Sequence, residues 1–238
     1  SRDPASENAR LSAIAEKSRY AQGANTQMVR YTARVFSRFW GGERCLELGP
    51  AEGLMTDLLV EQFSDLTVVE AAPQFCAAIQ GRHPGATVVN SLFESFTPRG
   101  LYDTIVMGHV LEHVEQPAAL LARVKGWLAP EGVVCAAVPN ARSVHRQAAV
   151  IMGLLETEHA LNEADLHHGH RRVYDPEAFR AEFLRAGLRI EHFGGYWLKP
   201  VSNGQIAAHW TDAMLEAFLE LGERYPDIAA ECYVIARR

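Results

Sequence analysis

Residues 45–53 read C-L-E-L-G-P-A-E-G, an apolar strand pattern that runs into a glycine turn. A helical pattern follows, so the turn would expose backbone N–H groups at a helix N-terminus, where ligands bind. The dinucleotide motif G-x-G-x-x-G would need glycine at positions 49, 51 and 54, but the chain has Ala51 and Leu54. The phosphate loop G-x-x-x-x-G-K-S/T would need lysine at 55, where Met55 stands. Neither phosphate-binding motif is present.

Three carboxylates near this turn indicate a different ligand. Glu47 in the strand and Glu52 in the turn would repel a pyrophosphate and favour a ligand with a cationic end. Glu70 ends the second strand pattern, 23 residues after Glu47, where a carboxylate commonly accepts both hydroxyls of a ribose. These residues therefore predict a cationic ligand that carries a ribose but no phosphate chain. S-adenosylmethionine has these properties and is the predicted cofactor. The alternative is that Glu47 and Glu70 are strand-end carboxylates bonded to nearby backbone N–H groups.

Short apolar runs alternate with helical patterns along the chain. The predicted strands are Cys45–Leu48, Leu66–Glu70, Thr87–Asn90, Thr104–Met107, Val133–Val138, Leu188–Phe193 and Cys232–Ala236. The helical patterns are Leu54–Gln62, Gln74–Gly81, Pro117–Leu128, Pro176–Ala186 and Gln205–Leu221. Strands that alternate with helices at this spacing predict βαβ units and a parallel sheet. We therefore expect an α/β fold, a Rossmann-like, doubly wound and mostly parallel seven-stranded sheet.

A length of 238 residues corresponds to about one and a half average domains, so we expect one elaborated domain, 1–238. It would consist of a helical cap, a cofactor-binding half and a substrate-side half: 1–40, 41–140 and 141–238. Within the cap, residues 8–40 would form a lid over the cofactor, with Tyr20 as a direct contact. Inserts after strands 5 and 6 would lie at the carboxyl edge of the sheet, where α/β proteins bind ligands.

Composition and charge exclude several classes of protein. The chain has 23 Lys and Arg against 29 Asp and Glu, which gives a net charge of −6. This charge argues against a protein whose main role is to coat nucleic acid or anionic lipid. Apolar runs stay below the ~18–20 residues that cross a bilayer, and residues 1–10 lack the apolar core of a signal peptide. Four scattered cysteines without a C-x-x-C pair indicate buried thiols. We expect a cytoplasmic monomer or homodimer that acts on a small molecule.

Several motifs resemble those of the class I S-adenosylmethionine-dependent methyltransferases. E-L-G-P-A-E-G at 47–53 is similar to their first motif, E/D-x-G-x-G-x-G, and V-E-A at 69–71 to their acidic second motif. D-T-I-V-M-G-H-V-L-E-H-V at 103–114 resembles the fourth strand in the branch that includes ubiquinone-biosynthesis O-methyltransferases. The chain departs from the pattern at Ala51, in place of the middle glycine, and at Glu131, in place of a glycine in the L-x-P-G-G turn.

The resemblance, which covers roughly residues 40–140, implies a set of cofactor-binding residues. With Tyr20 from the lid, these are Glu47, Gly49, Pro50, Gly53, Glu70, Ala71, Ser91, Leu92 and His109. Methyl transfer to a hydroxyl requires removal of a proton, and histidine is the side chain that titrates near neutrality. His109 is the first choice for this base, because the family places the methyl group at the end of the fourth strand. His113 would follow one helical turn later, while Glu112 would face solvent or cap the helix.

The stretch D-L-H-H-G-H-R-R-V-Y at 165–174 concentrates imidazoles and guanidiniums. The interpretations are a solvated basic loop, a metal site and a substrate lid, and the i, i+1, i+3 spacing fits no standard zinc geometry. We predict no metal and favour the lid, with His168 or His170 as a second-choice base. The predicted substrate-binding residues are His113, Asn140, His145, Arg146, Arg171, Tyr174, Lys199 and Asn203.

The sequence thus predicts a methyltransferase that uses S-adenosylmethionine to methylate a small, anionic or polar acceptor, with oxygen favoured as the methylated atom. The alternatives are methylation of a nitrogen or a carboxylate, or a non-catalytic S-adenosylmethionine-binding protein. A nucleotide-dependent oxidoreductase is disfavoured by the glycine turn.

Overall fold

The computed structural model describes residues 3–18 and 23–238, so Tyr20 lies outside the described residues. It contains a seven-stranded sheet in the order β3-β2-β1-β4-β5-β7-β6. In chain order, the strands β1 to β7 are Arg44–Leu48, Asp65–Glu70, Thr87–Asn90, Tyr102–Gly108, Leu128–Pro139, Arg189–Tyr196 and Glu231–Arg237. Only β7 runs antiparallel to its neighbours, β5 and β6. The prediction of a Rossmann-like, mostly parallel seven-stranded sheet is confirmed.

Ten α-helices surround the sheet in the described part of the chain. In chain order, α1 to α10 are Pro4–Glu16, Ala24–Ser37, Leu54–Leu59, Pro73–Arg82, Pro117–Trp127, Val144–Ile151, Glu163–His168, Pro176–Arg185, Asn203–His209 and Asp212–Leu221. The predicted single helix over 205–221 is therefore two helices. The break arises because Trp210 is extended and Thr211 caps α10, its side chain accepting a hydrogen bond from the N–H of Met214.

The region between β5 and α8, in which no strand was expected, contains α6 and α7. A capping box starts α7: the Asn162 side chain accepts from the Asp165 N–H, and the Asp165 carboxylate accepts from the Asn162 N–H. Gly169 ends the helix in the left-handed conformation, with φ of 78°. Asp165 is consequently fixed in place, although it lies on a helix of only six residues.

Apolar side chains of the strands are buried on both faces of the sheet. One cluster includes Phe36 of α2, with Tyr196 and Tyr233 from the last two strands. The other includes Leu121 of α5 and Phe179 of α8. Burial on both faces is typical of a parallel sheet that is covered by helices on each side. The sheet edge, where the strands end, is left for ligands.

The carboxyl ends of β5 and β6 lie at the same edge as the start of β7. Pro139 pairs with Glu231, and Glu231 in turn pairs with Tyr196. Since β7 is antiparallel, its first residue lies where the parallel strands end. Glu231 is therefore brought beside the carboxyl end of β4.

Candidate active site

A cavity of about 590 Å³ opens at this edge, within the usual size range of ligand pockets. Its walls come from α1, the turn after β1, the end of β2, the segment after β3 and the end of β4. Of the predicted cofactor residues, those that line it are Glu47, Gly49, Pro50, Glu70, Ala71, Leu92 and His109. Ser91 lines a smaller adjacent cavity that shares Ala71 and Leu92.

The glycine turn has the backbone geometry that its sequence predicts. Gly49 and Gly53 have φ of 67° and 85°, in the left-handed region that favours glycine. A Cβ added at Gly53 would lie 2.9 Å from Ile79 Cγ1, so this glycine also permits α4 to approach. Ala51 has φ of 48°, which shows that alanine keeps the left-handed conformation where the family motif has its middle glycine. Gly53 shapes the turn without lining the cavity.

Glu47 is buried at the cavity wall, with its Oε2 accepting a 2.6 Å hydrogen bond from the Thr56 hydroxyl. Burial raises the pKa of Glu47 to about 8, against the opposing effect of the Thr56 hydrogen bond. The carboxyl group is therefore mostly neutral at pH 7 in the unliganded protein. A cationic ligand group would favour its ionised form.

Glu70 ends β2 at the cavity, and its Oε1 accepts a 2.8 Å hydrogen bond from the Ala72 N–H. This bond to a nearby backbone N–H is what we expected if Glu70 had only a structural role at the strand end. The side chain nevertheless also lines the cavity, where it can meet a ligand. Burial raises the pKa of Glu70, although the backbone N–H groups of Ala72 and Ala51 oppose the rise. Glu52 adds a third carboxylate: its Oε1 accepts from the Ser18 hydroxyl, while its buried Oε2 has no partner among residues 3–18 and 23–238.

His109 follows β4 in the left-handed conformation, with φ of 59°, and its N–H donates to the Ala137 carbonyl at 2.9 Å. Its Nε2 lies 2.7 Å from Oε2 of Glu231, and the two side chains are only 6% and 9% exposed. Burial lowers the pKa of His109, but the charges of Glu231 and Glu112 outweigh it, so the pKa is raised. Glu231 is a site residue that the sequence analysis missed.

A second group of titratable side chains lies behind His109. Glu112 was expected at the surface or at a helix start, and this was wrong: it is 1% exposed. His113 does not follow on a helix either, since 111–113 form a turn and α5 begins at Pro117. Burial, with the nearby His170, lowers the pKa of His113 well below its usual range. His113 lines the cavity and His170 does not.

The two arginines predicted to bind the substrate are held within the protein by other partners. Arg146 is buried and donates to Asp165 at 3.0 Å, to the Glu158 carbonyl at 2.9 Å and to the Ala160 carbonyl. Arg171 donates to the His113 carbonyl and to both oxygens of Glu7, all within 3.0 Å. Neither guanidinium lines the cavity. The arginines thus tie the 165–174 segment to the rest of the fold.

The remaining predicted substrate residues also lie away from the cavity lining: Asn140, His145, Tyr174, Lys199 and Asn203. The Asn140 side chain donates to the carbonyls of Asp227 and Ala229, and Asn203 is exposed. Lys199 is held over the Trp197 ring, and burial lowers its pKa to about 8. Among the histidines of 165–174, His167 and His168 line the cavity.

Comparison with known proteins decides the family. Residues 19–192 match the model of a family described as a methyltransferase domain. The chain belongs to this methyltransferase family. It is 25% identical over 168 residues to a ubiquinone biosynthesis O-methyltransferase from Xanthomonas euvesicatoria pv. vesicatoria, covering 68% of this chain and 69% of the relative. It is 26% identical over 203 residues to a trans-aconitate 2-methyltransferase from Acidovorax ebreus, covering 76% and 78%.

A solved structure with the same fold is the N-methyltransferase NodS from Bradyrhizobium japonicum, in complex with S-adenosyl-l-homocysteine. It is 15% identical, covers 99% of both chains and has a TM-score of 0.61. As a member of the methyltransferase family, the chain described by the present structure uses S-adenosylmethionine as its methyl donor. Three acidic side chains around the glycine turn, one with an unsatisfied buried oxygen, suit a ligand that carries positive charge.

In the methyltransferase, α1 covers the cavity and contributes six residues to its wall, and Ser18 just beyond the helix adds a seventh. The six are Pro4, Glu7, Arg10, Leu11, Ile14 and Ala15. Polar contacts hold α1 in place, among them Arg171 with Glu7 and Arg10 with the Gly169 carbonyl. By contrast, α2 is mainly a core helix, although Val29 and Thr32 reach the cavity. No helix in the described ranges is long and apolar enough to span a membrane.

Proposed function

We propose that this methyltransferase transfers the methyl group of S-adenosylmethionine to a hydroxyl oxygen of a small polar acceptor, with His109 as the general base. The observation that carries the proposal is that His109 lines the cavity and is paired with the buried Glu231 behind it. If the Glu231 carboxylate accepts the Nε2–H, it fixes the tautomer in which Nδ1 carries the lone pair. A hydroxyl acceptor has a proton to lose, and an imidazole held in one orientation is suited to take it.

The cofactor supplies a methyl group on a positively charged sulfur, ready for in-line displacement. Glu47, Gly49 and Glu70 would hold it on the turn that Gly53 shapes, with Glu70 accepting hydrogen bonds from the ribose and the acidic side chains facing the positive charge. Residues 41–140 would form the cofactor half, and 141–238 would contribute Glu231 and the acceptor side. The α1 helix would close over both ligands.

Two observations bear on the acceptor. The relative named as an O-methyltransferase supports methylation at oxygen, whereas the relative named for trans-aconitate, a tricarboxylate without a hydroxyl group, supports the carboxylate alternative. A preference for an anion receives less support, because Arg146 and Arg171 already have protein partners. His113 and His168, which line the cavity, are the predicted acceptor-side residues that the geometry favours.

Product analysis tests the proposal. The enzyme is incubated with S-adenosylmethionine and a panel of phenols, aliphatic alcohols, carboxylic acids and amines, and S-adenosylhomocysteine release is measured. Mass spectrometry and NMR then assign the methylated atom. Methyl ethers are the expected products, whereas methylation confined to amines or to carboxylates would contradict the proposal.

Replacing Glu70 with alanine is expected to weaken S-adenosylmethionine binding about 10- to 100-fold, because a charge-assisted hydrogen bond of ~1.5–3 kcal/mol is removed. Calorimetry measures the dissociation constant. The matched control is Glu61→Ala, an exposed carboxylate outside the cavity, which should leave the affinity unchanged. An unchanged affinity in Glu70→Ala would remove this residue from the cofactor site, and tight NAD binding without S-adenosylmethionine binding would overturn the proposal.

Saturating S-adenosylmethionine is expected to protect the segment after α1 from trypsin, because α1 forms one wall of the cavity. Cleavage after the exposed Lys17 reports on this segment, and mass spectrometry measures its rate. Cleavage after Arg185, at the far end of α8, monitors stabilisation of the whole domain. Protection that is larger at Lys17 than at Arg185 indicates a cap, while equal effects at both positions would argue against one.

A further inference from the structure

Three potential metal ligands from two distant parts of the chain converge beside the cavity. Glu112, His113 and His170 each offer one ligand atom, and these atoms all lie within 4.8 Å of one another. Nε2 of His113 lies 3.8 Å from Oε1 of Glu112, and the rings of His113 and His170 meet edge to face at 4.8 Å between centroids. The methyl-transfer proposal assigns no role to Glu112 or His170.

Glu112 is the unusual member of this group. Its side chain is 1% exposed, and neither carboxylate oxygen has a hydrogen-bond partner within the described part of the chain. Buried carboxylates normally accept hydrogen bonds or coordinate a cation, because an unpaired buried charge is strongly unfavourable. An acidic side chain that lies beside two histidines and accepts no hydrogen bond is a candidate ligand for a cation.

The two imidazoles are oriented as metal ligands are. Nδ1 of His170 lies 3.0 Å from Oδ1 of Asp165, and Nδ1 of His113 lies 3.3 Å from the Gly169 carbonyl. Metal-binding histidines typically donate their second ring N–H to a carboxylate or a backbone carbonyl, which directs the other nitrogen at the metal. Asp165 is itself fixed by Arg146 and by the capping box of α7.

We propose that Glu112, His113 and His170 bind a divalent transition-metal ion of the zinc class. Imidazole and carboxylate ligands suit such ions, and two histidines with one glutamate form an established zinc ligand set. Ligand atoms of a tetrahedral site with bonds of about 2.0–2.1 Å lie roughly 3.3–3.4 Å apart, so modest side-chain rotations would close the 3.8 Å separation. Three protein ligands leave a fourth position, and His113 places the site at the cavity wall.

The surrounding charges are compatible with a bound cation. Arg10 and Arg171 approach from α1 and from the segment after α7, and both are paired with Glu7. His109, which faces Glu112, is paired with Glu231. Glu7 thus offsets one of the two guanidinium charges and Glu231 pairs with His109, while Glu112 is left for the metal.

The test is a metal titration without any methyl acceptor, so it is independent of the proposed function. Protein without an affinity tag is stripped with a chelator and titrated with Co²⁺, whose visible absorption reports tetrahedral coordination, and then with Zn²⁺ in competition. One equivalent is expected to bind. Glu112→Gln and His170→Ala should each weaken Zn²⁺ binding at least ~10-fold, and Asp165→Asn about 10- to 100-fold by releasing the His170 ring.

Two controls keep the test decisive. His159→Ala removes an exposed histidine paired with Asp175, outside the group, and should leave the Zn²⁺ affinity unchanged. Circular dichroism establishes that each variant is folded, and Zn²⁺ should raise the unfolding midpoint of the wild type but not of Glu112→Gln. Absence of Zn²⁺ and Co²⁺ binding in the wild type, or equal affinity in the wild type, Glu112→Gln and His170→Ala, would overturn the proposal.

Discussion

Replacing His109 with asparagine should lower turnover about 10²- to 10⁴-fold and leave S-adenosylmethionine affinity nearly unchanged, since this is the usual effect of removing a general base. Asparagine is chosen because His109 has φ of 59°, a conformation that asparagine tolerates better than most residues. The His168→Ala and His170→Ala variants distinguish the second-choice bases. Initial rates and calorimetry separate the loss of turnover from any loss of cofactor.

Glu231→Gln tests how the base is held. The carboxylate is what keeps the pKa of His109 above its usual range despite burial, with a smaller contribution from Glu112. Removal of the Glu231 charge should therefore lower that pKa and move the acidic limb of the pH–rate profile to lower pH. A merely structural role for Glu231 would reduce the rate without moving the limb. Turnover within a few-fold of wild type in His109→Asn, His168→Ala and His170→Ala would mean that the acceptor arrives already deprotonated.

Replacing Glu47 with glutamine should stabilise the unliganded protein and weaken its affinity for S-adenosylmethionine. The folded-state pKa is raised to about 8 from an ordinary value of 4.5. Ionisation of Glu47 therefore lowers the free energy of unfolding. The loss begins above about pH 4.5 and reaches its full size above about pH 8. The full effect is a few kcal/mol at most, on the order of 1.4 kcal/mol per unit of pKa. Glutamine is neutral at every pH and can still accept from the Thr56 hydroxyl.

Thermal unfolding at a series of pH values measures this effect. The midpoint of Glu47→Gln should exceed that of wild type by a margin that widens from pH 5 to pH 8, while cofactor affinity falls about 10-fold or more with the lost charge interaction. In the wild type, affinity should rise with pH toward about 8, as the carboxyl group ionises. Glu61→Gln, at an exposed position, is the control. A margin independent of pH would contradict the raised pKa.

The sheet and the cofactor loop could be predicted because their signals are local. The turn from Gly49 to Gly53 lies between a strand and a helix that are adjacent in sequence. Each βαβ unit shows the same alternation of a short apolar strand pattern and a helical pattern. Helix boundaries were harder to predict: the break before α10 depends on the single Thr211 cap. The position of Glu70 could also be inferred, since it depends only on where β2 ends.

The charged groups of the site could be predicted only in part, since their partners are distant in sequence. His109 and Glu231 are separated by 122 residues and meet because β7 is antiparallel, which no local pattern indicates. The cluster at 165–174 was identified by composition, but its arginines were expected to face a ligand. Arg171 binds Glu7 and a backbone carbonyl instead, and Arg146, outside the cluster, binds Asp165, because a buried guanidinium must satisfy its donors within the fold.

The antiparallel β7 has a consequence for biosynthesis. At about 5–20 residues per second, a ribosome needs roughly 6–24 s to proceed from His109 to Glu231. Late in that interval the nascent chain contains β1 to β6, but β5 has an unpaired edge and β6 has no neighbour. Such an edge is open to pairing with other chains. Insertion of β7 therefore covers the exposed edge of β5 and brings the Glu231 carboxylate to His109 in one late step.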